Sequence, residues 1–483
     1  MWQRQVTRRR FLGCTAVAAG GIWLPAAASS RLAPAALGGQ ASPFRAGAAV
    51  ADITPPVGAS LKGPIAGNGV VKAIHDPLRA RCLALDDGRV RLAICVCDAT
   101  MIWQRSMDRA KRLVEERTGL PAGSILISAS HSHAAPRIIG MVDSPIGNRY
   151  HDYAERQIAE AICAAVGNLA PANIGWGVGA LPQFVALRRF RIEPGSNGPN
   201  PFGEVTDRAW MYARPKTRIR AEGRPDPQVS VVSVRHADDR PLAVLANYSI
   251  HYTGGFERNT VSGDFYPCFA ERLAALLGAE GIDPPFVGIM SNGNSGNIGP
   301  ASGGYQGMRK VGDALAREVL RVCEKIEHRD RVSLAMREEE LELGVRRPDE
   351  ERMRWARDVL AGKWDKPAHA WRDVYARNAL ELAKFPPTVS PKFQAIRIGD
   401  LGIASNPNEM FAETGLEIKE QSPLQAAFNI QLANGYNGYL PTPEQHALGG
   451  YTTWPAVSSY LEIDASSKIR DHLLRLLGKA SEA

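Results

Sequence analysis

The nine residues VRLAICVCD, 90–98, are apolar except at Arg91 and Asp98. A strand with one wet face alternates apolar and polar residues, whereas an unbroken apolar run fits a strand covered on both sides. It is followed by SMDRAKRLVEERTG, which has helical spacing and a terminal glycine at 119, and then by a second apolar run, SILISAS. Strand, helix and covered strand in succession restrict the chain to an α/β architecture, with helices packed over a sheet.

The same alternation continues along the chain. YAERQIAEAICAAVGN reads as a helix, and VSVVSV and LAVLANYSI as strands joined by the turn HADDRP. FAERLAALLGAEG, PFVGIMS and KVGDALAREVLRVCEKIE read as helix, strand and long helix. Two charged helices are expected around 349–384, followed by the strands FQAIRIG, LGIASN and AFNIQLAN. No repeat of fixed period and no internal linker interrupts the pattern. The expectation is a large mixed β-sheet core flanked by helices, forming one catalytic domain over residues 46–483.

The N-terminus is a separate matter. TRRRFLG, residues 7–13, precedes the apolar stretch CTAVAAGGIWLPAAA, which ends in Ala26-Ala27-Ala28. This is the arrangement of a twin-arginine-type signal peptide over 1–28, which carries folded proteins out of the cytoplasm. Residues 29–45, rich in Ala, Pro and Gly, read as a flexible lead-in, and the expected location is periplasmic or secreted. No later segment has the length and apolarity of a transmembrane helix. The formal charge is +8, but Arg4, Arg8, Arg9 and Arg10 lie in the signal, leaving +4 for the remainder. That excess is too small and scattered for nucleic-acid binding. Of seven cysteines, Cys14 leaves with the signal; Cys95 and Cys97 share one face of a strand, and no CxxC pair occurs.

Reactive side chains gather where apolar runs end. His131 and His133 close LISASHSHAAP, His251 follows LAVLANYSI, Glu409 follows GIASNPN, and Tyr436 and Tyr439 follow FNIQLAN. In α/β sheets, sites form beyond strand ends, where loops converge. At i and i+2 in extended backbone, His131 and His133 face one side with Cα atoms about 6.5 Å apart. One ring can then reach a metal while the other stays a hydrogen bond away, toward substrate. The plain structural readings are solvated loop imidazoles for the pair, a hydrogen-bonded core histidine for His251, and helix-dipole stabilisation for Glu409 at the head of a helix. Asp264, in VSGDF, reads as a helix N-cap or a substrate contact. The loop MSNGNSGNIGP, with Asn292, Asn294, Ser295 and Asn297, reads as a tight turn or as a cradle for an oxyanion. It lacks the GK[ST] of a phosphate loop, and no GxSxG elbow occurs in the chain.

Taken in order, AGAAVADITPPVG, IHDPLRARCLAL, SHSHAAP, NYSIHYTGG, VSGDF, NSGNIGP, NEMFAETG and GYNGYLPTPEQH resemble the catalytic domain of the neutral ceramidase family, zinc-dependent amidases that release a fatty acid from ceramide. The resemblance runs over roughly residues 46–460. It implies one Zn²⁺ held by His131, His251, Glu409 and Tyr439, with His133 as the catalytic imidazole and Tyr436 nearby. Read from the residues themselves, the Asn/Ser loop is expected to bring Ser295 and Asn297 to catalysis, and Asn292, Asn294 and Asp264, with Tyr436, to substrate binding. Two departures stand out. The family serine of this loop is replaced by Gly299, with Ser295 as the nearest substitute, and the chain runs only 44 residues past Tyr439, without the family's C-terminal immunoglobulin-like β-sandwich.

The expected function is metal-assisted hydrolysis of an N-acyl amide in a small-molecule or lipid substrate. Alternatives are an esterase or lactonase, a carbohydrate N-deacylase, and a catalytically dead periplasmic binding protein marked by Gly299. The basic stretch around 345–384, with Trp355, Trp364 and Trp371, reads as a solvated face with inward-facing aromatics, or as a peripheral membrane contact.

Overall fold

Eight strands make the main sheet of the computed structural model, which describes residues 43–61, 69–139, 145–301 and 303–483. The signal and most of the lead-in lie outside the described residues. The strands are β1 (Arg45–Asp52), β2 (Arg79–Asp86), β3 (Arg91–Cys97), β4 (Ile125–Ala129), β5 (Ala170–Ala180), β6 (Gln228–His236), β7 (Pro241–Tyr248) and β8 (Val287–Asn292). Their spatial order is β8-β7-β6-β5-β1-β2-β3-β4. The pairs β7/β8 and β3/β4 at the two edges are parallel, and every pairing between them is antiparallel. The expected large mixed sheet is therefore present.

A second sheet covers one face of the first. It contains β9 (Leu334–Glu340), β10 (Lys392–Ile398), β11 (Leu401–Ser405) and β13 (Ala426–Ile430), while β12 (Glu409–Met410) and β14 (Tyr439–Leu440) form a short parallel pair beside it. Leu83, Ile94, Leu126, Val232 and Ile289 from the main sheet meet Ile396, Ile403, Phe428 and Ile430 from the second. Burying each such side chain contributes about 1.5–3 kcal/mol, which is why β3, apolar on both faces, sits at this double boundary. β9, β10, β11 and β13 make this separate sheet, a layer that apolar periodicity alone does not distinguish from more strands of the first.

Helices cover the outer faces. The far face of the main sheet carries α1 (Gln104–Thr118) and α2 (Pro145–Gly167) on one half, and α3 (Phe265–Leu276) and α4 (Gly304–Cys323) on the other. Gly119, at φ 72°, takes the left-handed cap that ends α1, as the sequence pattern requires. The second sheet is backed by α7 (Ala412–Gln421) and α8 (Ala465–Ser481), and α5 (Glu350–Leu360) packs on α6 (Arg372–Leu382). Trp355 is buried against Phe202, Tyr375 and Trp454, so that tryptophan belongs to a core. No described helix is long and apolar enough to cross a membrane. The six described cysteines are free thiols, with Cys95 and Cys97 sulfurs 3.9 Å apart on one face of β3.

The main sheet rolls until its two parallel edges approach each other, and β8 lies near β2, β3 and β4. The chain leaving β13 fills the remaining gap. Ala129 donates to Leu432 and Asn434 to Ile127 on the β4 side, while Gln431 donates to Asn292 on the β8 side. Strand ends that lie far apart in sheet order thus come together at one seam.

Candidate metal centre

His131 leaves β4 in a left-handed turn at φ 68°, rare for a residue with a Cβ and costing of order 1 kcal/mol. Ser130 and His131 donate their amides to Cys97 and Ala99, which fixes the kink. The extended i, i+2 geometry expected from sequence is therefore replaced by a bend that throws the His131 ring inward. Its Nε2 is 3.2 Å from Nε2 of His133, and the two rings are edge to face. His251, three residues past the end of β7, brings its ring to 4.7 Å from that of His131, centroid to centroid.

Glu409 arrives from the second sheet. It lies in β12, with its amide donated to Gly438, and the first helical residue is Ala412. It is therefore not the first-turn acid of α7; Glu413 fills that place. Glu409 Oε2 is 3.3 Å from His131 Nε2 and 3.6 Å from His251 Nε2, while Oε1 accepts the Tyr436 hydroxyl at 2.8 Å. Gly296 lets the opposing loop lie against this strand, because a Cβ there would stand 2.3 Å from the Glu409 carbonyl oxygen.

The proton positions follow from the partners. His131 Nδ1 faces the Thr100 carbonyl at 2.7 Å, and His251 Nδ1 faces the Ser295 carbonyl at 2.8 Å. A carbonyl only accepts, so each Nδ1 carries the proton and each Nε2 turns a lone pair inward. Two imidazole lone pairs and a carboxylate oxygen then converge in a fully buried place. Among the described residues, His251 Nε2 and Glu409 Oε2 have no hydrogen-bond partner there. His131 Nε2 has a neighbour in His133 Nε2 at 3.2 Å, whereas the other two acceptors converge on it with no donor, an arrangement that a divalent cation satisfies. Backbone carbonyls bonded to the far ring nitrogens are the usual support of histidine ligands. The ring nitrogens of His131, His133 and His251 lie within 4.8 Å of one another, a group able to hold a metal ion.

The surrounding charge favours ligand forms of these groups. Burial, with Arg188 and His131 adding to it, holds His133 and His251 well below the ordinary imidazole range, so both are neutral. Burial alone would raise the Glu409 carboxyl, but His131, Arg188 and the Tyr436 hydroxyl outweigh it and leave it ionised. Burial likewise opposes the charge on Arg188, and the phenols of Tyr439 and Tyr212 with Glu409 overcome that and keep it cationic.

The remaining expected residues take varied places. Tyr439, paired beside Glu409 across β12 and β14, accepts a hydrogen bond from Arg188 Nη2 at 3.2 Å. Ser295 spends its hydroxyl on Gln431 Nε2 at 2.6 Å, and it is its carbonyl that touches His251. Asn297 is turned to α7, accepting from the Ala412 amide and donating to Glu413. Asn292 donates to Ser130, and Asn294 is buried against Gly415. Asp264 caps α3 through Phe265 and also accepts from Thr253, and burial lifts its carboxyl to about 6.

Sequence reasoning missed Arg188, Tyr252 and Tyr451. Arg188, 4% exposed, donates to the Gly296 carbonyl and lies under Tyr439. In RRFR it is indistinguishable from a surface basic run. Tyr252 stacks on His133 at 3.8 Å, and Tyr451 stands edge-on to Tyr439 at 5.5 Å. Gly299 lies beside Arg188, where a Cβ would meet it at 3.5 Å.

The fold has known counterparts. A neutral ceramidase from Pseudomonas aeruginosa superposes with a TM-score of 0.65 over 91% of this chain and 75% of that one, at 17% identity. A ceramidase complexed with C2 matches with the same score and coverage, at 16% identity. The architecture is ceramidase-like. No family model and no curated protein sequence matches the chain.

Proposed function

We propose that the protein is an exported, zinc-dependent hydrolase that cleaves an N-acyl amide bond. The observation that carries this reading is the buried convergence of His131 Nε2, His251 Nε2 and Glu409 Oε2, two of them without partners. Two histidines and a carboxylate are a common donor set of catalytic zinc, and Tyr439 is the proposed fourth ligand. When bound, the ion supplies Lewis-acid polarisation of a carbonyl and activates water at neutral pH. The ceramidase-like fold and the ordered motifs support an amide as the substrate bond and a lipid or small N-acyl compound as its carrier.

The chain's own groups have defined tasks in this proposal. His133, held neutral, is in the form that takes a proton from the attacking water and passes it to the leaving amine. Tyr252, stacked on it, limits its rotation. Arg188 fixes a positive charge beside Tyr439, where it offsets charge developing on the carbonyl oxygen. Ser295 and Asn297 serve by holding the loop, Ser295 through the carbonyl that orients His251. Because water is the nucleophile, Gly299 in place of a serine is compatible with turnover.

The test is metal analysis of the mature protein with a screen of ceramides and short N-acyl compounds. About one zinc per chain and an amidase activity lost to a chelator and restored by zinc are expected. Turnover indifferent to chelation, or no turnover on any amide in the screen, would refute the reading. Export is tested separately: replacing Arg8 and Arg9 by lysine should leave the protein in the cytoplasm.

A further inference from the structure

The end of the main sheet opposite the histidines holds an open concavity of about 700 Å³. It is lined by Arg45 at the start of β1, Asp86, Arg89 and Arg91 of the β2–β3 hairpin, and Met336 and Arg337 of β9. β3 and β4 both begin here and both run toward His131, so β3 alone separates the two places by roughly 20 Å. Nothing in the proposed hydrolysis uses it.

Its charge is one-sided: four guanidinium groups face one carboxylate. That carboxylate is already engaged, since Asp86 accepts from Arg91 Nε at 3.0 Å and from the Gly88 amide at 2.8 Å. Among the described residues, Arg45 and Arg337 donate to the backbone carbonyls of Leu169 and Met336 and, like Arg89, have no carboxylate partner. Some exposed arginines elsewhere, such as Arg109, Arg117, Arg224 and Arg317, are paired with acids, while others, such as Arg112, Arg258 and Arg357, stand apart from one another without an acid partner among the described residues; here they meet at one concavity. Three guanidiniums with no carboxylate partner among the described residues, two of them giving an N–H to a backbone carbonyl, raise the local potential around one concavity and bring planar donor forks to it.

We propose that this concavity binds a phosphate-class oxyanion, free or as the headgroup of an anionic phospholipid. A guanidinium fork matches two phosphate oxygens at once, and a dianion neutralises more of the excess than one carboxylate could. The volume is that of a small-molecule site, and no aromatic ring lines it on which a nucleobase would stack.

The full-length mature protein titrated calorimetrically with phosphate and pyrophosphate, against sodium chloride of equal ionic strength, tests this. Saturable binding absent in chloride is expected, weakened about tenfold or more in R89E/R337E. Zinc content and amidase activity, which depend on the other end of the sheet, should be unchanged in that variant. Flotation with phosphatidylglycerol vesicles, against phosphatidylcholine, separates the two sources: capture by the former that R89E/R337E abolishes, without affinity for the free ions, assigns the headgroup. Titrations that match chloride together with no vesicle capture, or binding that survives the double charge reversal, overturn the proposal. The outcome is independent of whether the metal centre hydrolyses an amide.

Discussion

Two polar clusters lie side by side at the seam of the sheets, and they are built on opposite terms. In the loop 292–299 Ser295 is matched with Gln431, Asn297 with Ala412 and Glu413, and the Asn294 backbone amide with Ser249, while the Asn294 side chain leaves a donor and an acceptor, and Asn292 an acceptor, without a partner among the described residues, so the loop gathers no set of acceptors at one point. At the strand ends, His251 Nε2 and Glu409 Oε2 are unmatched, and His131 Nε2 faces the same point. Both clusters are buried, and both would pass as reactive residues in a loop. What separates a binding centre from a scaffold is the sign of the mismatch: converging acceptors with no donor call for a cation, whereas matched pairs only hold shape.

The sharpest way to break this contrast is to remove one acceptor. His131→Ala and His251→Ala should each abolish bound metal and lower turnover by about a thousandfold or more, read by elemental analysis and amidase assay. Wild-type metal content in both variants would show that the acceptors do not form a ligand set. Glu409→Gln keeps the shape and the Tyr436 contact but removes the charge. We expect metal affinity to fall about a hundredfold in competition with a chromogenic chelator, with the fold intact by circular dichroism.

Protons should compete at the same cluster. His133 and His251 are held below their unfolded range, so below about pH 6.5 the unfolded chain binds protons that the native chain does not. Stability from these groups is full above that pH and falls as the pH drops toward their native values. Urea unfolding of the metal-free protein between pH 8 and 5 should show this loss. A His133→Gln/His251→Gln double variant should flatten it, and an unchanged slope in that variant would assign the acid sensitivity elsewhere.

The loop's supporting role predicts smaller, different effects. Gln431→Leu frees Ser295, whose carbonyl orients His251, and should weaken metal binding about tenfold without removing a ligand.

How much of this was legible in sequence depends on the range over which each feature is decided. The strand β3 and helix α1 were readable because burial on both faces and a glycine cap are local signals. The strand-end histidines were readable for the same reason: an apolar run that stops at an imidazole marks a place. The rolling of the sheet was not legible, because it depends on Gln431, Leu432 and Asn434 bonding to residues 127–129 and 292, more than a hundred positions away. The turn at His131 was missed because it is set by Cys97 and Ala99 across the parallel pair. Glu409 was assigned to a helix start from the downstream helical pattern, but the Gly438 carbonyl draws it into a strand one turn earlier. Arg188 gave no local sign, since burial alone distinguishes it from its basic neighbours.

The smallest effect separates loop from centre most cleanly. Asn297→Ala deletes the acceptor of the Ala412 amide at the head of α7 and the donor to Glu413. Losing such a cap typically costs about 1 kcal/mol, and the buried head of α7 should loosen accordingly. If Asn297 only holds shape, the variant melts a few degrees lower while zinc affinity and turnover at saturating metal stay at wild-type values. If turnover falls strongly with stability little changed, Asn297 touches substrate, and the division between a matched scaffold and an unmatched centre has to be redrawn through the loop itself.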